Sequence, residues 1–355
     1  MSAMGCRMAP MGPLVTPACG RNRSQQQRCM HRAMRCTAQG GSATEPAQTL
    51  AESLRRLDQW LVMAPGEAEL SAEQEQQAVA LATQLRSSGL CRFGTGKLAP
   101  KRDYTLADLR LNKIQPEQLL SPRDVTLEGV RNTLTLGAAA VVAGASYALQ
   151  PTTEQLLSGG LVVATLAMVD QVGNNGAWNS LVVDTLGRLL NASYAIRVAR
   201  HEAGHFLTAY LCGVLPRAYT LTSLDAFRRY GAGNVQAGTL FCDAAFRAEV
   251  ASGKLTASSL DAFTCIALAG VAAEYLAFGQ AEGGLDDIST LDGLLRACGF
   301  TQKRTDSEVR FAVLSVVLML RRQAAAHDAL AAAMSRGCTV GECIAEIEKH
   351  LTAES

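Results

Sequence analysis

Acidic residues are missing from the first 44 positions of this chain, and histidine is scarce throughout, with five in 355 residues. Those 44 positions instead carry Arg7, Arg21, Arg23, Arg28, Arg32 and Arg35 among Ser, Thr, Gln, Met and Ala, and the first acidic residue is Glu45. No continuous apolar core interrupts them, which excludes a secretory signal and matches an organellar transit peptide. Charged residues make up only 18% of the chain and the formal net charge is +1, so a broad basic surface for nucleic acid is excluded. Aromatics, at 5%, do not interleave with any basic patch, and no nucleic-acid partner is expected. Eleven cysteines form no CxxC pair, which rules out paired zinc-finger spacing and leaves reduced, packed thiols. A nucleotide site is missing too. In Gly94-Thr95-Gly96-Lys97-Leu98, Cys91 stands where a phosphate loop needs its first glycine, and Leu98 stands where it needs a hydroxyl.

What is present divides the chain into four parts. Residues 1–44 read as the leader. Residues 45–130 read as a small helical region, in which Ser71 and Gln74 form a capping-box signature before a run that Gly89 ends. Short helical pieces are expected between Leu106 and Leu120. Residues 131–172 contain two Gly/Ala-rich apolar runs, 134–149 and 156–169, joined by Gln150-Pro151-Thr152-Thr153-Glu154-Gln155. Each run is shorter than the ~20 residues that comfortably span a bilayer. They fit either a buried helical hairpin or a membrane hairpin. Charge favours the membrane: the connecting loop has no Lys or Arg, whereas Lys113, Arg123, Arg131 and Arg188 flank the pair on one common side.

Residues 173–355 carry the chemistry. A helical pattern from Tyr194 to Leu211, stopping at Gly213, contains His201-Glu202-Ala203-Gly204-His205, an H-E-x-x-H match. Positions i and i+4 share a helix face, so His201 and His205 can bind one tetrahedral zinc ion. Glu202 is offset from that seam and suits the general base. Zinc brings the pKa of a water ligand toward ~7, Glu202 takes its proton as a peptide carbonyl is attacked, and then protonates the leaving amine. A third protein ligand is required. Short strands are expected at Ala218–Thr222 and Val235–Phe241, and amphipathic helices around Val309–Arg321 and Val340–Leu351. His327 and His350 read as surface residues without a metal role.

The residues around this motif resemble the M41 peptidase family, the protease domain of FtsH. That family also writes His-Glu-Ala-Gly-His, followed by a helix reading roughly Gly-Gly-x-x-Ala-Glu and a glycine loop that ends in Asp-Ile or Asp-Leu. Here the counterparts are Ala269-Gly270-Val271-Ala272-Ala273-Glu274 and Gly283-Gly284-Leu285-Asp286-Asp287-Ile288. The resemblance implies a mainly α fold: an M41-like helical bundle with a small β-sheet beside the zinc cleft, preceded by the apolar hairpin and the small helical region. It implies Asp287 as the third zinc ligand, with Asp286 the competitor and a helix N-cap the other use for either. Glu274 would then contact a ligand rather than the metal. An edge strand beside the cleft would hold extended protein or peptide substrates by β-pairing, and Ser223–Asn234 is longer and more charged than the family's turn there.

The likeness covers about 160 residues from Val198 onward and departs where the family expects Ala-Thr after the aspartate; Leu291 and Asp292 stand there. No AAA ATPase motif accompanies it. In this the chain resembles a plastid-targeted, ATPase-less M41-like group, which implies a chloroplast location, membrane association and an FtsH-type ATPase partner. The competing expectation is a proteolytically inactive M41-derived chaperone or assembly factor in the same membrane.

Overall fold

The computed structural model describes residues 44–62, 70–123, 125–173, 177–230 and 238–352. The expected leader, Thr44 apart, lies outside them. Among the described residues the chain is mainly helical, with one two-stranded antiparallel sheet. Helix α1 (Thr44–Trp60) is followed by α2 (Ala72–Ser87), where Ser71 and Gln74 make the reciprocal bonds of a capping box. Beyond α2, Gly89 takes a φ of +73°, a left-handed turn residue. The Gly94–Lys101 loop clamps the far end of the histidine-bearing helix. The Gly94 and Gly96 N–H groups donate to the Tyr210 and Leu211 carbonyls at 2.9 Å, satisfying acceptors that a helix end leaves open. Lys101 then ties the loop to Asp261 and Glu308, each at 2.5 Å. Short α3 (Leu106–Leu111) and α4 (Pro116–Leu119) follow.

The apolar hairpin is α5 (Val125–Leu149) and α6 (Thr153–Gly173), helices of 25 and 21 residues. Both extend past the apolar runs because helix continues into the polar turns that flank them. At 1.5 Å per residue they measure about 37 and 31 Å, enough to cross a ~30 Å hydrocarbon layer. Neither apolar window has any buried residue. A third stretch, Ala257–Phe278, is also long and apolar enough, but 67% of its window is buried, and it forms part of the core.

After the hairpin come α7 (Ala177–Leu190) and α8 (Ala192–Cys212). Helix α8 starts at Asn191, whose side chain accepts from Ser193 N–H, and stops at Gly213 in the left-handed region. Strand β1 (Pro216–Thr220) pairs with β2 (Gly238–Phe241) in a register that sets Tyr219 opposite Thr239, with an irregularity between Pro216 and Ala218. The longer connection between them carries α9 (Ser223–Tyr230). Of the expected second strand, Val235 to Ala237 lie outside the described residues. The rest is helical: α10 (Ala244–Ser252), α11 (Ala257–Ala267), α12 (Ala269–Phe278), α13 (Leu285–Ala297), α14 (Gln302–Arg322), α15 (Ala324–Ser335) and α16 (Val340–His350). One apolar core runs through these helices and takes in Leu57 of α1, Ala78 of α2 and Phe93, so the N-terminal helices are packed into the same interior as Phe206 and Leu207.

Candidate metal centre

Helix α8 packs against α12 closely enough that a glycine is needed at each meeting point. A Cβ on Gly204 would lie 2.7 Å from the Ala269 carbonyl oxygen, and a Cβ on Gly270 would lie 2.3 Å from His201 Nε2. The approach sets His201 and His205, one turn apart on α8, against α12, with Nε2 atoms 3.1 Å apart. The first turn of α13 supplies the third group. Its N-cap, Gly284, has a φ of +88°, and a Cβ there would meet Val271 Cγ2 at 2.4 Å. That turn brings Asp287 Oδ2 to 3.1 Å from His201 Nε2 and 3.3 Å from His205 Nε2. Asp286 is exposed and falls outside the cluster, which among the described residues consists of His201, His205 and Asp287.

The hydrogen bonds on the far side of each ring fix which nitrogens are free. His205 Nδ1 lies 2.7 Å from the Ile266 carbonyl, which can only accept, so Nδ1 carries the hydrogen. His201 Nδ1 lies 2.8 Å from Glu274 Oε1. Glu274 also accepts from Arg197 Nη1 at 3.0 Å, Glu282 N–H at 2.9 Å and Gly283 N–H at 3.2 Å, as only an ionised carboxylate would. Burial pushes the Glu274 pKa up, but the His201 and Arg197 contacts outweigh it and bring the value down to about 2. Both Nε2 atoms of the neutral rings are therefore lone-pair acceptors aimed at each other and at a carboxylate.

Three acceptors at 3.1–3.3 Å with no hydrogen between them repel unless a cation joins them. A metal ion resolves this. Ligands ~2.0–2.1 Å from a tetrahedral zinc stand about 3.3 Å apart, so the triangle matches one face of such a site and leaves a fourth position open. A proton also answers the demand. Burial lowers the His201 pKa, yet Asp287 and Glu274 raise it further, to well above the ordinary value. For His205, burial likewise pulls down and Asp287 pushes up to a net rise. Asp287 itself is held far below the usual carboxylate range, because the two histidines overcome the effect of its burial.

Glu202 is buried beside the pair, and its Oε2 accepts from Thr239 Oγ1 of β2 at 2.8 Å. His201, Glu202, His205 and Asp287 open onto one cleft of about 1210 Å³. Thr239 and Phe241 of β2, Val79 of α2 and Arg131 of α5 also line it. Two of these groups have roles that the sequence reading misses. Arg197 stands one turn before His201, a spacing from which its neighbourhood could be read; Thr239 meets Glu202 only through the long-range placement of β2. His327 is a correction. It is buried rather than on the surface, its Nε2 donating to the Arg200 carbonyl at 2.9 Å, with burial lowering its pKa, and it belongs to the packing of α15 on α8. His350 is exposed, as expected.

No protein-family model matches the chain, and neither a curated protein nor a solved structure matches it.

Proposed function

We propose that this protein is a zinc-dependent endopeptidase of the M41, FtsH-like type, acting on unfolded or membrane-associated proteins at a chloroplast membrane. The observation that carries the reading is the convergence of two Nε2 lone pairs and one carboxylate oxygen at zinc-ligand spacing, with a buried glutamate beside them in an open cleft. The order of parts supports the M41 assignment: histidine helix, small sheet, glycine-bearing helix carrying Glu274, and then Asp287 at the start of a helix. The Arg-rich, acid-free leader supports the plastid address, and the apolar windows of α5 and α6, in which no residue is buried, support the membrane.

His201, His205 and Asp287 would hold the zinc, which when bound supplies a Lewis acid that polarises a peptide carbonyl and acidifies a water. Glu202 takes the proton of the attacking water and returns it to the departing amine. Thr239 holds the Glu202 carboxylate by one hydrogen bond, leaving its other oxygen for that proton. The edge of β2, beside the same cleft, pairs with an extended substrate backbone. An FtsH-type ATPase partner would supply the unfolding that a chain without a nucleotide-binding motif does not.

The test is zinc content per purified chain together with cleavage of an unfolded protein. The wild type and Glu202→Gln are expected to carry one zinc each, with cleavage only by the wild type, and Asp287→Ala to carry little. One zinc per chain with no cleavage by the wild type would overturn the peptidase reading and favour a chaperone that keeps the metal for structure.

A further inference from the structure

Large exposed apolar residues crowd α5 and α6, and the run does not stop there; it continues onto α7 and the start of α8. Helix α7 lies across one end of the hairpin. At its start the Trp178 N–H donates to Asp170 Oδ1, in the last turn of α6, at 3.1 Å. Near its end a Cβ on Gly187 would meet Leu127 Cδ2, in the first turn of α5, at 3.1 Å. Both ends of α7 therefore touch the same end of the hairpin, so the helix crosses its foot rather than running along it.

The two faces of α7 differ. Val183 and Asp184 are buried, and Asp184 accepts from Tyr194 Oη at 3.0 Å and from the Ser223 N–H at 2.8 Å, joining α7 to α8 and α9. Trp178, Val182 and Leu189 are 53%, 48% and 76% exposed. At 100° per residue they fall within about 40° of one another on the side away from Val183 and Asp184. Trp178 leans on Phe227 of α9 with ring centroids 5.9 Å apart, and the adjacent Arg228 is exposed. Tryptophan with one flank apolar and the other wet, next to a cation, is the composition of a bilayer's headgroup level.

We propose that α7 is an in-plane membrane anchor, its Trp178–Val182–Leu189 face seated among lipid headgroups at the foot of the α5–α6 hairpin. The proposal rests on the membrane reading of that hairpin and adds an orientation to it. Leu127 and Arg131 of α5 and Val183 and Asp184 of α7 line one end of the catalytic cleft. With α7 in the plane of the bilayer, that end opens at the membrane surface. The substrate class is then the segments that flank membrane spans, met as they leave the lipid, rather than chains arriving from bulk solution.

The experiment uses two full-length proteins with a single tryptophan each, in vesicles containing anionic lipid. Trp60→Phe leaves Trp178 as the reporter; Trp60→Phe/Trp178→Phe/Leu161→Trp reports on the middle of α6. Each is read against lipids carrying a quencher either near the headgroup or deep in the acyl chain. Trp178 is expected to lose most of its emission to the shallow quencher and little to the deep one, and the Leu161→Trp reporter to show the reverse. If the Leu161→Trp reporter is quenched from the deep position but Trp178 responds to neither lipid and stays open to an aqueous quencher, the in-plane anchor is wrong and the hairpin stands. Deep quenching of Trp178 also overturns it, by making α7 part of a span. If neither reporter responds to lipid, the membrane reading fails and the anchor fails with it.

Discussion

Asp287 reaches both imidazoles because the backbone turns at Gly284, the residue next after the Glu282 and Gly283 N–H groups that Glu274 holds. Asp286, chemically identical and one position earlier, is directed elsewhere. Asp286→Ala is therefore expected to keep its zinc, whereas Asp287→Ala should lose more than the roughly 10–100-fold in affinity typical of losing an outer hydrogen-bond partner. Competition with a chromophoric chelator measures both. Glu274→Gln falls in that 10–100-fold range, because it weakens the acceptor that fixes His201 Nδ1–H without removing a ligand. The pH dependence has a definite sign. The folded-state pKa of His201 is raised, so in the metal-free protein its protonated form adds stability that is full below the unfolded value of 6.5 and is lost as pH rises through the folded value. Zinc needs the same nitrogen unprotonated, so protons compete with it on the acid side. The gap in melting temperature between zinc-loaded and chelated protein should widen from about pH 6 to about pH 8. A gap that is constant across that range would mean that His201 does not hold the metal.

Elements differed in how much of them could be read in advance, and the difference has physical causes. Helix α8 was legible because its apolar spacing is regular and Gly213 stops it; α2 was legible from Ser71 and Gln74. The hairpin was legible as two helices but short at the start of α5 and at both ends of α6, since polar turns carry no apolar signal. Helix α15 was not separable, because its Ala-rich string offers little contrast between faces, and with it went the burial of His327. Of the site, His201, Glu202 and His205 could be read from spacing alone, while the place of Asp287 came from a resemblance and that of Thr239 from nothing local. The packing of α8 on α12 yields a prediction at this scale. Gly270→Ala puts a methyl group where His201 Nε2 lies and should cost the protein its zinc while leaving its helix content unchanged, as read by metal analysis beside circular dichroism. Gly204→Ala, which crowds backbone rather than a ligand, should instead lower stability by ~1–3 kcal/mol.

At the scale of the whole molecule, the histidine-bearing helix α8 is held at its far end from both sides, by the segment after α2 and by the C-terminal helix α16. Gly94 and Gly96 bond the Tyr210 and Leu211 carbonyls, and Phe93 packs on the Tyr210 ring with centroids 5.5 Å apart. From the C-terminal side, Glu348 of α16 accepts from Tyr210 Oη at 2.5 Å and from the Arg92 N–H at 2.7 Å. Asp58 of α1 accepts from Thr339 Oγ1 and the Gly341 N–H, at 2.7 Å each, at the start of α16. A region joined to α8 and α16 by these bonds, sharing their apolar core and lining the cleft through Val79, cannot unfold alone without opening the cleft. Phe93→Ala, a full truncation in that core, should cost ~3–5 kcal/mol. The loss is expected to appear as one earlier transition in which zinc release, loss of helix and proteolytic opening of residues 70–100 coincide. Separate transitions, with the N-terminal helices melting while zinc stays bound, would show instead that the metal domain stands without them and that α2 is a detachable wall of the cleft.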